Sequence, residues 1–114
     1  NITFPVVYDT EYREGGRAND LSNAERTACA KAFCDTVLAA GYTPVVYSST
    51  NWSVLDLNLE ELANYDFWYA YYGSPEGLYL PYEFSMWQYT DSGKVDGISS
   101  SVDMNLSFVD YSTR

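Results

Sequence analysis

Residues 22–48 read SNAERTACAKAFCDTVLAAGYTPVVYS, and this stretch decides the fold class. Ser22 and Glu25 have the spacing of a capping box, in which hydroxyl and carboxylate satisfy the first free N–H groups of a helix reciprocally. The helix is predicted over 22–40. Cys29, Phe33, Val37 and Ala40 fall at i, i+4, i+8 and i+11 and form one apolar stripe. Gly41 supplies a left-handed stop. Tyr42–Tyr47 then reads as a strand. On the other side, Ile2–Tyr8 (ITFPVVY) is β-branched and aromatic and reads as a buried strand with Pro5 at its entry. Tyr12–Asp20 (YREGGRAND) reads as a loop. Strand, helix and strand with short links make a βαβ unit, which implies parallel pairing.

Further along, Asn58–Asn64 reads as a short helical turn capped by Asn58. Asp66–Tyr72 is a third strand ended by Gly73, and Ser74–Pro81 reads as a loop. Phe84–Tyr89 is a fourth strand, Asp91–Lys94 and Asp96-Gly97 are turn chemistry, and Val102–Leu106 is a last strand. Strands and helices alternate in the first part, and strands alone fill the last. The fold class is α/β, in one domain over residues 1–114.

Composition narrows the function. Six Lys and Arg against 16 Asp and Glu give a formal charge of -10. Such a chain repels phosphate backbones and anionic membrane surfaces, so neither nucleic acid nor membrane is expected as a partner. No apolar run approaches a bilayer span. Histidine is absent, which excludes histidine-based triads, imidazole metal sites and a histidine general base within this chain. Acid–base work falls to carboxylates, Tyr or Lys. Cys29 and Cys34 lie on different helix faces, too far apart to bridge, and read as small buried apolar residues. Without histidine they build no zinc site. No metal site is expected. Three Asn-x-Ser/Thr triplets, at Asn1, Asn51 and Asn105, match at the level of chance, and Asp91–Asp96 lacks the spacing of a calcium loop. The chain opens at Asn1 directly into an apolar run with no signal-peptide pattern, and is expected to be a piece of something longer.

Asp9 and Glu11 follow the first strand. Residues i and i+2 of an extended chain point the same way, so two carboxylates project from the C-terminal end of a strand. Parallel α/β architectures place their chemistry at that end. Crowding two anions raises the proton affinity of one. One protonated and one ionised carboxyl is what glycoside hydrolysis requires. On D-x-E alone, a solvated strand-to-loop junction accounts for the pair better. The aromatics Tyr8, Tyr47, Trp68, Tyr71, Tyr72, Trp87 and Tyr89 lie in or beside strands and offer platforms suited to sugar rings, about half of them expected to be core. Gln88 supplies an amide, and Asp103 and Asn105 form another i, i+2 polar pair.

Several patches, in order, resemble the C-terminal part of a glycoside hydrolase family 25 lysozyme, the N-acetylmuramidase class. Phe4–Glu11 (FPVVYDTE) is similar to its apolar strand ending in D-x-E. Ala40–Ser48 (AGYTPVVYS) resembles its G-Y-x-P-x-x-Y-S strand, and Trp68–Tyr72 (WYAYY) its W-x-A-x-Y strand. Trp87–Thr90 (WQYT), Ser92–Ile98 (SGKVDGI) and Val102–Asn105 (VDMN) resemble its closing series. The resemblance implies an irregular TIM-like (β/α)5(β)3 barrel whose first three β/α units are absent here. It implies Glu11 as proton donor, Asp9 as its supporting carboxylate and Asp103 as a further acid. Tyr8, Tyr47, Trp68, Tyr72, Trp87, Gln88 and Asn105 would then bind substrate. The implied reaction is cleavage of the β-1,4 bond between N-acetylmuramic acid and N-acetylglucosamine in peptidoglycan. It needs no cofactor, and its setting is extracellular or at the cell wall, as a secreted enzyme or a phage endolysin. The family's aspartate at the end of its first barrel strand has no counterpart. A closed barrel takes upwards of about 200 residues, so a longer parent, a second chain completing the barrel, and a free-standing half all remain open. So do a carbohydrate-binding module and an assembly protein.

Overall fold

The computed structural model describes residues 2–78, 80 and 82–113. The triplet at Asn1, and Tyr79 and Pro81 of the loop expected at 74–81, lie outside the described residues.

The capping box forms as expected. Ser22 Oγ accepts the Glu25 N–H at 3.1 Å, and the Glu25 carboxylate accepts the Ser22 N–H at 2.9 Å. Helix α1 (Asn23–Ala39) starts there. It stops at Gly41, where φ is +89°. The Gly41 N–H donates to the Leu38 carbonyl at 3.0 Å and the Tyr42 N–H to the Val37 carbonyl at 3.1 Å, a Schellman closure. The buried face of α1 differs from the expected stripe. Arg26, Thr27, Ala30 and Cys34 are buried, whereas Cys29 and Ala40 are exposed and Phe33 and Val37 half-buried. At 100° per residue the true face is rotated by about 80°. The small side chains of Ala30 and Cys34 enter the core, and the bulkier Phe33 leans on Tyr8 at the flank, ring centroids 5.1 Å apart. Both cysteines are free thiols, and Cys29 is not the buried residue expected of it.

Strand β1 (Val6–Asp9) is shorter than expected, and it is not fully buried. Among the described residues it pairs only with β2 (Pro44–Ser49), so it forms a sheet edge, with Val7 exposed. The β1–α1–β2 unit is parallel, as the sequence predicts. The chain then makes two short helices, α2 (Thr50–Leu55) and α3 (Leu59–Leu62). Asn58 Oδ1 caps α3 by accepting the Glu61 N–H at 3.4 Å. Helix α2 is not anticipated by sequence pattern. β3 (Asp66–Ala70) and β4 (Met86–Gly93) extend the parallel sheet, and β5 (Val102–Ser107) closes it antiparallel, in the order β1-β2-β3-β4-β5. Asp91–Gly93, expected as a turn, belongs to β4. Its register against β5 is irregular, and a side chain at Gly93 would run into Met104, so glycine serves close strand approach there. The turn falls later, at Gly97 (φ +91°), where the Ile98 N–H donates to the Val95 carbonyl at 3.0 Å.

The helices cover one face of the sheet. Ala30, Cys34, Trp52, Leu57, Leu59 and Leu62 pack there on Val46, Phe67 and Tyr69. The other face is concave. Asp9 of β1 and Asp103 of β5 line one cleft, although a flat sheet would hold these strands about 19 Å apart, four spacings of ~4.8 Å. The sheet is therefore curled, a mixed α/β half-barrel. Tyr111, almost fully buried, holds the C-terminal segment on its outer end: its hydroxyl lies 2.6 Å from Asp66 Oδ2 and 2.7 Å from Ser85 Oγ.

Candidate active site

Strand alternation selects what faces the concave side. The register sets Asp9 beside Tyr47 and Tyr47 beside Trp68, then Ala70 beside Gln88 and Gln88 beside Asn105. A cleft of about 220 Å³ results, lined by Val7, Asp9, Glu11, Tyr47, Trp68, Gln88 and Asp103. Glu11 also borders an adjoining cleft of about 300 Å³ with Tyr47 and Tyr72, and a third of about 520 Å³ with Tyr8 and Arg13. One carboxyl group thus stands where three depressions meet.

Its electrostatics follow from that position. Partial burial raises the proton affinity of Glu11 above the ordinary value. The charge of Asp9 raises it further, as does the closeness of the Asp9 side chain. Arg13 opposes these effects, and Asp103 adds a smaller push upward. Glu11 is thus the carboxyl of this cleft whose proton is held more tightly than usual.

Around it, polar groups are tied to one another. The Tyr47 hydroxyl donates to Gln88 Oε1 at 2.7 Å, and the Tyr72 hydroxyl donates to the same oxygen. Both phenols are held well protonated, each chiefly by burial. With Oε1 engaged twice, the buried Gln88 amide is fixed in orientation. The Trp68 indole N–H donates to Asn105 Oδ1 at 2.9 Å and its ring meets Tyr47 edge-on, 4.9 Å between centroids.

Eight of the ten sequence-predicted residues therefore converge: Asp9, Glu11, Asp103, Tyr47, Trp68 and Gln88 in the cleft itself, Tyr72 and Asn105 through hydrogen bonds to it. Tyr8 and Trp87 do not. Tyr8 packs on Phe33 toward the helices and borders the third cleft, which Asp9 and Glu11 also line. Trp87 is buried with its indole N–H on the Tyr71 carbonyl at 2.9 Å. Both placements have one cause: each immediately precedes a residue of the first cleft, Asp9 or Gln88, and strand neighbours point to opposite faces.

Sequence pattern alone does not single out Thr10, Trp52 or Arg26. Thr10 lies between the acids, so alternation turns it inward, which was the available signal. It is buried, its N–H donates to the Tyr47 carbonyl at 3.0 Å, and its hydroxyl accepts the Trp52 indole N–H at 2.8 Å. Among the described residues no three His, Cys, Asp or Glu side chains stand where they could hold a metal ion, and no helix is long and apolar enough to cross a membrane.

The family model for glycosyl hydrolases family 25 matches residues 1–98. The chain belongs to glycosyl hydrolases family 25. An uncharacterised protein from Escherichia coli O157:H7, YegX, is 33% identical over 106 residues, 90% of this family 25 chain and 36% of that protein. The crystal structure of the CTP1L endolysin is similar at 29% identity with a TM-score of 0.70, over 90% of this chain and 34% of the endolysin chain. The modular autolysin LytC from Streptococcus pneumoniae is similar at 27% identity, also with a TM-score of 0.70, over 92% of this chain and 26% of its own. This family 25 chain thus spans about a third of the length of YegX and of the CTP1L endolysin.

Proposed function

We propose that this chain carries the acid pair of a peptidoglycan hydrolase, a muramidase cleaving the β-1,4 bond between N-acetylmuramic acid and N-acetylglucosamine. The observation that carries the reading is the placement of Asp9 and Glu11 in one cleft, with the proton affinity of Glu11 raised. Glu11 is the proton donor to the glycosidic oxygen, since a raised proton affinity keeps a carboxyl loaded at the pH where a carboxylate beside it is ionised. Asp9 supports the charge that develops on the sugar ring, and Asp103 adds a third carboxylate on the opposite wall. Trp68 offers an apolar platform and Gln88 an oriented amide to the acetamido sugars.

In this reading residues 1–114 are the C-terminal part of an irregular (β/α)5(β)3 barrel. β4 and β5, joined without an intervening helix, belong to its helix-free end. The glycan strand is the partner, the missing N-terminal half or a second chain completes the wall at the β1 edge, and the work is done outside the cell or at its wall. Endolysin and autolysin relatives support this setting. The test is clearing of a peptidoglycan suspension. The parent enzyme clears it, Glu11→Gln abolishes clearing, and no clearing by the parent, or clearing that survives the substitution, contradicts the proposal. The open β1 edge favours one alternative, a glycan-binding or assembly module without hydrolysis. It predicts saturable glycan binding that persists when Asp9 and Glu11 are both replaced.

A further inference from the structure

The acid pair sits where β1 ends and the loop to α1 begins, and such a junction does not by itself hold a side chain still. Something outside it must. Trp52, on α2, is buried at 6% exposure. Its indole N–H donates to Thr10 Oγ1 at 2.8 Å, a buried hydrogen bond across 42 residues of sequence. Its ring also meets Tyr12 edge-on, centroids 6.4 Å apart. Thr10 and Tyr12 are the two neighbours of Glu11. Beneath the indole lies the Arg26 guanidinium, 4.5 Å from the ring centroid, itself anchored on the Ala18, Leu21 and Asp56 carbonyls at 2.6–3.1 Å.

We infer that Trp52 is the positioning residue of the acid pair, gripping Thr10 and Tyr12 on either side of Glu11 and held in turn by Arg26. The inference rests on the reading of Asp9 and Glu11 as the working acids. Trp52 touches neither carboxyl in this scheme. It acts by fixing the backbone that aims Glu11 at Asp9. Losing the grip lets the two carboxyls part and take up water, which removes the causes that hold the proton on Glu11. The groups facing Glu11 are Asp9 of β1, Asp103 of β5, Arg13 of its own loop, and the phenols of Tyr47 and Tyr72. None of them is altered by changes at Trp52 or Thr10, so a shift in Glu11 reports position.

The experiment is carboxyl 13C titration of Glu11 in the full 114-residue chain, with folding of each variant checked by its amide spectrum. Trp52→Phe keeps the ring and removes the N–H donor. Thr10→Val keeps the shape and removes the acceptor, and Thr10→Ser restores it. The expected result is a fall of the Glu11 midpoint toward the ordinary carboxyl value in Trp52→Phe and in Thr10→Val, with no further fall in the double variant and recovery in Thr10→Ser. An unmoved midpoint in both folded single variants overturns the inference, and so does an equal fall in Thr10→Ser. The readout needs no turnover, so it separates failure of this inference from failure of the muramidase reading, which the clearing assay decides.

Discussion

Replacing Arg26 with Met should destabilise the fold by about 3–4 kcal/mol. The guanidinium is 4% exposed. It donates to the Leu21 carbonyl at 2.6 Å, to Asp56 at 2.8 Å and to Ala18 at 2.9 Å. Hydrogen bonds from a charged donor contribute ~1.5–3 kcal/mol each. The cost of keeping the cation out of water offsets a large part of that gain. Once the donor is gone, water reaches some of the three carbonyls and not all, so a net loss near 2–3 kcal/mol is left. The contact with the Trp52 face adds ~1 kcal/mol. The ion pair with Asp56 adds little, because at 3.8 Å that carboxylate is 39% exposed. Methionine retains the apolar stem, so the loss isolates the head group. For a chain of this length each kcal/mol lowers the melting temperature by about 4 °C, giving a drop of roughly 12–16 °C in a circular-dichroism melt. Arg26→Lys should recover little, since one ammonium cannot span three carbonyls held by a planar fork. A loss under about 1 kcal/mol in Arg26→Met, or wild-type stability in Arg26→Lys, would refute the assignment of Arg26 as a buried anchor.

Other outcomes follow from the same contacts. The folded chain binds the Glu11 proton more tightly than the ordinary carboxyl value of 4.5, so its stability falls as pH rises through the folded midpoint. Glu11→Gln mimics the protonated state. It should therefore match wild type well below pH 4.5 and melt higher above the folded midpoint, and equal melting at pH 7 would contradict the raised affinity. Cys29 is exposed, whereas burial pushes the Cys34 thiol up to about 11. A thiol reagent at pH 8 should label one equivalent quickly and none in Cys29→Ser until denaturant is added; two fast equivalents would contradict the placement of Cys34.

What could be read from sequence was local. Ser22, Glu25 and Gly41 bracket α1 by short-range chemistry, and both ends form as the spacing dictates. The D-x-E alternation puts Asp9 and Glu11 together because it depends only on extended backbone between them. What could not be read was set by partners distant in the chain. The packed face of α1 turns on which side chains the sheet accepts, and a buried Arg26 makes sense only once the Ala18, Leu21 and Asp56 carbonyls converge on it. Asp91–Gly93 has turn chemistry, yet pairing with β5 keeps it in a strand. Tyr8 and Trp87 look like sugar platforms until alternation sends them to the helix side, while Trp52, outside every strand, proves to touch the side chains of Thr10 and Tyr12 on either side of Glu11.

Asp9 and Glu11 stand in one cleft at the end of β1, close enough that the charge of Asp9 raises the proton affinity of Glu11. Carboxyl 13C titration of Glu11 in wild type and in Asp9→Asn tests it most directly. The wild-type midpoint should lie above 4.5 and fall when the Asp9 charge is removed. A wild-type midpoint at or below 4.5, or one indifferent to Asp9→Asn, would contradict it.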